Sequence, residues 1–206
     1  MTLFSAETDR LERVSDAIKA LCTAPAVSIP FFSDSETEAM RVAAGKLEYR
    51  TARSVVGNGV HQDFDICFPA PLEGVFSNCA RLLEQAVAYA GQMQPGLTET
   101  PFFINDFAVQ NYPAGSRGIG IHKDGLRYRH FVFIITLDGQ SELIGCSDRE
   151  GADIQLIDDR PGHLVILPAP GFSGLPDEGH RPLHGVDNVT GGRLSIGFRQ
   201  EQVSNS

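Results

Sequence analysis

The stretch HFVFIITL, residues 130–137, is apolar at nearly every position. A strand that packs on a core with one face alternates apolar and polar residues, whereas a continuous apolar run is typical of a strand buried on both faces. HLVILP, residues 163–168, has the same character. The two runs therefore predict central strands that are covered on both sides by other layers.

Further short β-rich segments lie on either side of these two runs, separated by Gly, Pro and Asp. They are FFINDFAVQNY (102–112), GIGIHKD (118–124), SELIGC (141–146), DIQLIDD (153–159) and RLSIGFRQ (193–200). About eight short strands predict a double-stranded β-helix, the jelly roll, with its core at residues 101–201.

The first hundred residues have a different pattern, and we expect them to be a mainly helical lead-in. Apolar residues at helical spacing and capping signals predict helices at about 6–22, 34–45 and 73–91. The predicted fold class is therefore α+β, a jelly roll with the N-terminal helices packed on one sheet. The length of the chain favours a single domain over 1–206.

Composition narrows the classes of function. The formal charge is −9, from 17 basic and 26 acidic residues, which weighs against broad, non-specific binding of nucleic acid. The four cysteines form no C-x-x-C pair, and no apolar run is long enough to span a bilayer. The first residues lack the pattern of a signal peptide, so we expect a reduced, cytoplasmic protein without membrane partners.

The end of the GIGIHKD strand carries a candidate metal site. Side chains two apart in a strand point to the same side, so His122 and Asp124 share a face and Lys123 points away. Two histidines and one carboxylate form the facial triad of non-haem Fe(II) oxygenases. H-x-D alone is a weak signal, because a salt bridge in a loop has the same pattern.

A third ligand is available downstream. His184 lies nine residues before Arg193 and directly before a β-prone run, which favours it over two other histidines. His180 falls in the long irregular loop 169–183, and His163 opens a strand after a tight turn. Both remain alternatives on the sequence alone.

The last strand carries a candidate anion site. Arg193, Ser195, Gly197 and Arg199 are in phase on one face. A buried arginine needs a partner, and a guanidinium pairs well with a carboxylate. A dicarboxylate 2-oxo acid could supply that carboxylate while its other end chelates a metal, with Tyr112 as an added donor. Arg199 could instead be the solvated end of the strand.

Taken together, QNYPAGSRGIGIHKD (110–124), HGV (184–186) and RLSIGFRQ resemble the motifs of the Fe(II)/2-oxoglutarate-dependent dioxygenases, specifically the AlkB-like branch. The resemblance implies Fe(II), the co-substrate 2-oxoglutarate and O2, with release of succinate and CO2. It implies iron ligation by three residues, His122, Asp124 and His184. It also implies a 2-oxoglutarate site in which Arg193 holds the far carboxylate, Tyr112 and Ser195 support it, and Gln110 and Arg199 line the same space.

The chain departs from the AlkB-like pattern at several positions. Gln110 and Ser195 replace asparagines, and Gly197 replaces a threonine. Leu126 stands where repair enzymes of the branch carry an acid that contacts the damaged base. We therefore predict a hydroxylase, or another C–H oxidase, of a small substrate, with an AlkB-like demethylase of nucleic acid or nucleotides as the alternative.

The charges around the H-x-D motif indicate an anionic substrate. Lys123, Arg127 and Arg129 lie close to the motif together with Leu126, and we assign these four residues to the substrate site. Solvated loop charges are the competing interpretation. Recognition of nucleic acid would need a lid from residues 47–65, which hold only two arginines. A degenerate jelly-roll binding module is a third hypothesis, disfavoured by the intact set of candidate ligands.

Overall fold

The computed structural model describes residues 3–57 and 59–202. Three helices form at nearly the predicted bounds: α1 is Thr8–Ala20, α2 is Asp34–Ala44 and α3 is Gly74–Met93. The start of α2 has a capping box, in which Ser33 and Glu36 satisfy each other's backbone N–H groups. Among the described residues, no helix is both long enough and apolar enough to cross a membrane.

Thirteen strands complete the described part of the chain. They are β1 Val27–Pro30, β2 Arg50–Thr51, β3 Val55–Val56, β4 Val60–Asp63, β5 Asp65–Cys67, β6 Asp106–Tyr112, β7 Gly118–His122, β8 Tyr128–Gly139, β9 Glu142–Cys146, β10 Gln155–Ile157, β11 His163–Pro168, β12 Leu183–Asp187 and β13 Arg193–Glu201. A short 3-10 turn, Glu178–His180, precedes β12.

The strands form two antiparallel sheets. The larger sheet has the order β1-β11-β8-β13-β6-β5-β2, and the smaller has the order β10-β9-β12-β7-β4-β3. Strands β6 to β13 are distributed between the two sheets as in a jelly roll. The architecture is thus the predicted combination of helices with a double antiparallel sheet.

The first hundred residues contain more strand than the sequence analysis indicates. Strand β1 extends the larger sheet beside β11, and the segment between α2 and α3 forms β2 to β5. These strands are two to four residues long, too short to show a period. They exist because β6, β7 and β11 offer free edges to pair with, which local sequence does not reveal.

Two apolar clusters explain the continuous apolar run of β8. Phe131 and Phe133 pack in a cluster that also contains Ile18, Met40 and Leu83 of the three helices. Val132 belongs to the second cluster, between the two sheets. Strand β8 lies between β11 and β13, and β11 lies between β1 and β8, so the prediction of central strands is confirmed.

Candidate metal centre

Strand register brings the candidate ligands together. His122 ends β7, and His184 lies on β12, which pairs with β7 so that the two histidines stand directly opposite each other. Asp124 follows β7 by two residues. The two histidines are far apart in the sequence, but the antiparallel pairing of β7 with β12 places them next to each other.

The three side chains are close enough to share one ion. Nε2 of His184 lies 3.5 Å from Oδ2 of Asp124, and the imidazole centroids of His122 and His184 are 4.4 Å apart. One candidate ligand atom from each residue lies within 4.8 Å of the others. Over residues 3–57 and 59–202, these are the only three His, Cys, Asp or Glu side chains grouped in this way.

Backbone carbonyls orient both imidazoles. Nδ1 of His122 is 2.8 Å from the carbonyl oxygen of Gly120, and Nδ1 of His184 is 3.3 Å from that of Pro182. A carbonyl only accepts, so each Nδ1 carries the proton and donates it. Each Nε2 then keeps a lone pair, the arrangement of a histidine that ligates a metal.

The charge states also fit a cation. Oδ2 of Asp124 is buried and has no hydrogen-bond partner. Burial opposes ionisation of Asp124, but the charge that His184 carries when it is protonated and the charge of Arg199 outweigh it and hold the pKa of this carboxyl below its ordinary value. Burial also lowers the pKa of His184 to about 4, which keeps its ring neutral. A carboxylate with an unsatisfied oxygen beside two imidazoles is a ligand set for a divalent metal.

A glycine sets how closely β7 approaches β12. Gly118 has φ +71°, and a Cβ at this position would lie 1.8 Å from the carbonyl oxygen of Val186. No side-chain rearrangement can relieve a contact with backbone. Gly118 is therefore needed for the strand pairing that places His122 opposite His184.

We expect Gly118→Ala to lower the free energy of unfolding by more than ~3 kcal/mol, because β7 and β12 must separate. Gly115→Ala is the matched control: its φ is +80°, but its Cβ would meet nothing within 4 Å. That change should cost only about 1 kcal/mol of backbone strain. Urea unfolding of both variants makes the comparison, and equal losses would refute the role of close approach.

A cavity of about 490 Å³ is lined by two of the three candidate ligands. His122 and Asp124 lie in its wall, with Gln110 from β6 and Arg199 from β13. The other residues that line it are Val56, Gly57, Val60, Gln62, Ile66, Phe68, Ala108, Ile119, Lys123, Gly125, Arg127, Tyr128 and Arg149. Val56, Gly57, Val60 and Gln62, from β3, β4 and their surroundings, thus form part of the wall of this cavity.

The structure brings some of the predicted substrate residues to this cavity and leaves others out. Lys123 and Arg127 line it, whereas Arg129 and Leu126 do not. Arg129 instead forms an ion pair with Glu99 at 2.6 Å, and Leu126 is half exposed. Arg149 is a cavity residue that sequence reasoning missed, because it comes from the loop between β9 and β10 and no nearby motif marks it.

The predicted anion site lies on the inner face of β13. Arg193 stands opposite Tyr112 on β6, and Ser195 stands opposite Gln110. The Tyr112 hydroxyl donates to Oε1 of Gln110 at 3.4 Å, a long contact, and burial raises the pKa of Tyr112. Four of the residues assigned to 2-oxoglutarate are therefore cross-strand neighbours inside the jelly roll, whereas Arg199 lies farther along β13, opposite Asp106.

The partners of the two arginines differ from our expectation. We expected buried Arg193 to need a ligand carboxylate, but its Nη1 donates to Oδ2 of Asp159, a residue the sequence analysis overlooked. Arg199 pairs with Asp106 at 2.9 Å and lies against the ring of Tyr128. Its side chain is 14% exposed, so the interpretation of Arg199 as a solvated strand end is wrong.

The other histidines have different surroundings. His180 is exposed and lies 3.0 Å from Asp177, and His163 contacts Ser28 at 3.0 Å. The loop that carries His180 still touches the metal centre, because Nη1 of Arg181 donates to the backbone carbonyl of Asp124. Part of the long irregular loop therefore holds the segment after β7 in place.

Comparison with known proteins identifies the fold. No protein-family model matches the sequence, and no curated protein matches it. A prolyl-4-hydroxylase of Pseudomonas putida superposes with a TM-score of 0.63 at 16% identity, covering 92% of this chain and 100% of that one. A prolyl hydroxylase of Trichoplax adhaerens, in complex with a hypoxia-inducible-factor peptide, gives 0.65 at 14% identity over 98% and 94%.

An AlkB homologue, OsALKBH1, is also similar, with a TM-score of 0.59 at 14% identity over 85% of this chain and 98% of that one. Prolyl hydroxylases and an AlkB homologue thus match about equally well, and the comparison does not single out the AlkB-like branch. The chain has the fold shared by the Fe(II)- and 2-oxoglutarate-dependent oxygenases.

Proposed function

We propose that this protein is an Fe(II)- and 2-oxoglutarate-dependent oxygenase that oxidises a C–H bond of a small anionic molecule. The observation that carries the proposal is the cluster of His122, Asp124 and His184 inside a jelly roll, with His122 and Asp124 in the wall of a cavity. Structural neighbours bound to nickel and 2-oxoglutarate, such as HygX of Streptomyces hygroscopicus, support this choice of metal and co-substrate class.

Each of the three ligands has a defined part. His122 and His184 would bind Fe(II) through Nε2, and Asp124 through its unsatisfied carboxylate oxygen. Three protein ligands leave positions open for co-substrate and O2. When bound, Fe(II) with 2-oxoglutarate and O2 would supply the oxidation of a C–H bond, with O2 as the oxidant and with release of succinate and CO2. The protein orients the substrate and keeps water from the reacting atoms.

The inner face of β13 suits the far end of the co-substrate. Nε of Arg193 is buried and has no partner, so one edge of this guanidinium is available to a carboxylate. Ser195, Tyr112 and Gln110 provide hydroxyl and amide groups beside it. Arg199 lies nearer the metal, where its charge helps to keep Asp124 ionised.

The cavity wall supports an anionic substrate. Lys123, Arg127, Arg149 and Arg199 line it, and among the described lining residues Asp124 is the only acid, whose charge the metal would neutralise. Lys123 donates to the backbone carbonyl of Gly179, and Arg199 is paired with Asp106. Arg127 is partly neutralised by Glu201 at 3.0 Å. Apolar residues form another part of the wall, namely Val56, Val60, Ile66 and Phe68. A small carboxylate or phosphate ester with an apolar body matches this combination.

The test is succinate formation from 2-oxoglutarate with Fe(II) in air, measured with and without candidate substrates. Small carboxylates and phosphates form one panel, and methylated single-stranded oligonucleotides form another. We expect stimulation by members of the first panel. Stimulation by the oligonucleotides alone would favour the demethylase, and an absence of succinate under every condition would favour a binding module.

A further inference from the structure

A buried ion pair lies inside the jelly roll on the inner face of β13. Asp159, in the loop between β10 and β11, accepts a hydrogen bond from the Thr136 hydroxyl at 2.7 Å. The same oxygen, Oδ2, accepts from Nη1 of Arg193. The side chains of Arg193 and Asp159 are 1% and 10% exposed. The chain thus provides its own carboxylate to an arginine that the proposed function assigns to the co-substrate.

Only part of the Arg193 guanidinium has a hydrogen-bond partner. Nη1 contacts Asp159 and, at 3.4 Å, the Ser141 hydroxyl, whereas Nε is buried without a partner. A guanidinium can hold two carboxylates through two edges. A second carboxylate on Arg193 would, however, meet the charge of Asp159 across the same group in a poorly solvated interior, where like charges repel strongly.

We propose that Asp159 is a specificity-determining residue for the co-substrate: an internal carboxylate that competes with the far carboxylate of 2-oxoglutarate for Arg193. The inference rests on the proposed function. Without ligand, Asp159 stabilises a guanidinium that would otherwise be buried uncompensated. When ligand binds, Asp159 lowers the affinity for a dianionic 2-oxo acid. It therefore reduces the difference in affinity between that dianion and a 2-oxo acid with a neutral tail.

A purely orienting role would not need a negative charge. Ser141 and Tyr112 are neutral oxygen-bearing residues next to Arg193, on the adjoining loop and on the paired strand. Either could help to fix the guanidinium without opposing an incoming dianion. The Thr136 hydroxyl also holds the Asp159 carboxylate in place independently of Arg193. Asp159 therefore affects ligand affinity through its negative charge, which an isosteric amide lacks.

The experiment compares Asp159→Asn with the wild-type protein. Asparagine keeps the shape and an acceptor for Thr136 and Arg193 but lacks the charge. Calorimetric titration of the Mn(II)-loaded proteins without O2 measures binding of 2-oxoglutarate and of its 5-amide, whose tail is neutral. We expect 2-oxoglutarate to bind Asp159→Asn about tenfold more tightly than wild type, and the amide to bind both with similar affinity.

Two further readouts guard against misfolding. The ligand-free Asp159→Asn protein should melt at a lower temperature than wild type, and Mn(II) with 2-oxoglutarate should raise its Tm by more than it raises that of wild type. Asp158→Asn is the matched control, because Asp158 is exposed and pairs with Arg160 at 2.7 Å rather than with Arg193. That variant should bind both ligands as wild type does.

Two results would overturn the inference and leave the proposed function in place: unchanged 2-oxoglutarate affinity in Asp159→Asn, or weaker affinity with the amide unaffected. The latter would identify Asp159 as a residue that only orients Arg193. An absence of 2-oxoglutarate binding by every protein, wild type included, would reject the proposed function and this inference together.

Discussion

Asp124→Ala is expected to lower the affinity for a divalent metal by more than about 100-fold, with loss of succinate formation. The substitution removes the one carboxylate of the proposed ligand set and leaves two imidazoles. Calorimetric titration with Mn(II) measures the affinity. The Tm of the metal-free variant should not fall, because the carboxylate that is lost has a buried oxygen without a hydrogen-bond partner.

Asp177→Ala provides the control for this prediction. Asp177 is also an aspartate close to a histidine, at 3.0 Å from His180, but both side chains are exposed and lie outside the cluster. Metal affinity should stay at the wild-type level. If Asp124→Ala kept that affinity as well, the metal would have to bind elsewhere and the ligand assignment would be wrong.

Arg193→Met is expected to weaken 2-oxoglutarate binding by roughly 3 kcal/mol, because a desolvated carboxylate loses its charged partner. Titration of the Mn(II)-loaded variant measures the loss. The change also leaves Asp159 buried without its partner, so the variant should unfold more readily than wild type. Combining it with Asp159→Asn should restore much of the stability but not the affinity for 2-oxoglutarate.

Arg199→Met distinguishes the two arginines. Arg199 lines the same cavity as Asp124, and its charge lowers the pKa of that carboxyl. Arg199 also pairs with Asp106, so its loss should change metal binding more than the preference between 2-oxoglutarate and its 5-amide. Suppose that Arg193→Met bound 2-oxoglutarate normally and that Arg199→Met lost the preference for the dianion. The residue that binds the far carboxylate would then be Arg199 and not Arg193.

The sequence predicts the central strands and part of the candidate metal site, because the signals for both are local or depend on strand phase. The apolar runs of β8 and β11 indicate burial on both faces, and the two-residue spacing of His122 and Asp124 indicates a shared side. The phase of β13 likewise predicts that Arg193 and Ser195 face inward, and the structure places both on the inner face.

The remaining features depend on contacts that a single sequence does not contain. Asp159 reaches Arg193 across 34 positions from a loop, and Arg149 enters the cavity from another loop. Arg129 lies outside the cavity and forms an ion pair with Glu99, 30 residues earlier in the chain. Loop conformation decides all three, and neither period nor spacing specifies it.

The same fold can form from very different sequences, because most positions do not require one particular residue type. Structural neighbours share only 14–16% of residues with this chain over nearly its whole length. Core positions need volume and apolarity, which many residue types supply. Under the proposed function, His122 and His184 are constrained instead by ligand geometry, and Gly118 is constrained by the close approach of the Val186 backbone.

A crystal structure with Mn(II) and 2-oxoglutarate, grown without O2, tests the central claim most directly. We expect one manganese ion, located by its anomalous signal, bonded to Nε2 of His122, Nε2 of His184 and the carboxylate of Asp124. The 2-oxo acid end should chelate the ion, and the far carboxylate should reach Arg193. A manganese ion bound elsewhere, or one that either imidazole cannot reach, would contradict the account.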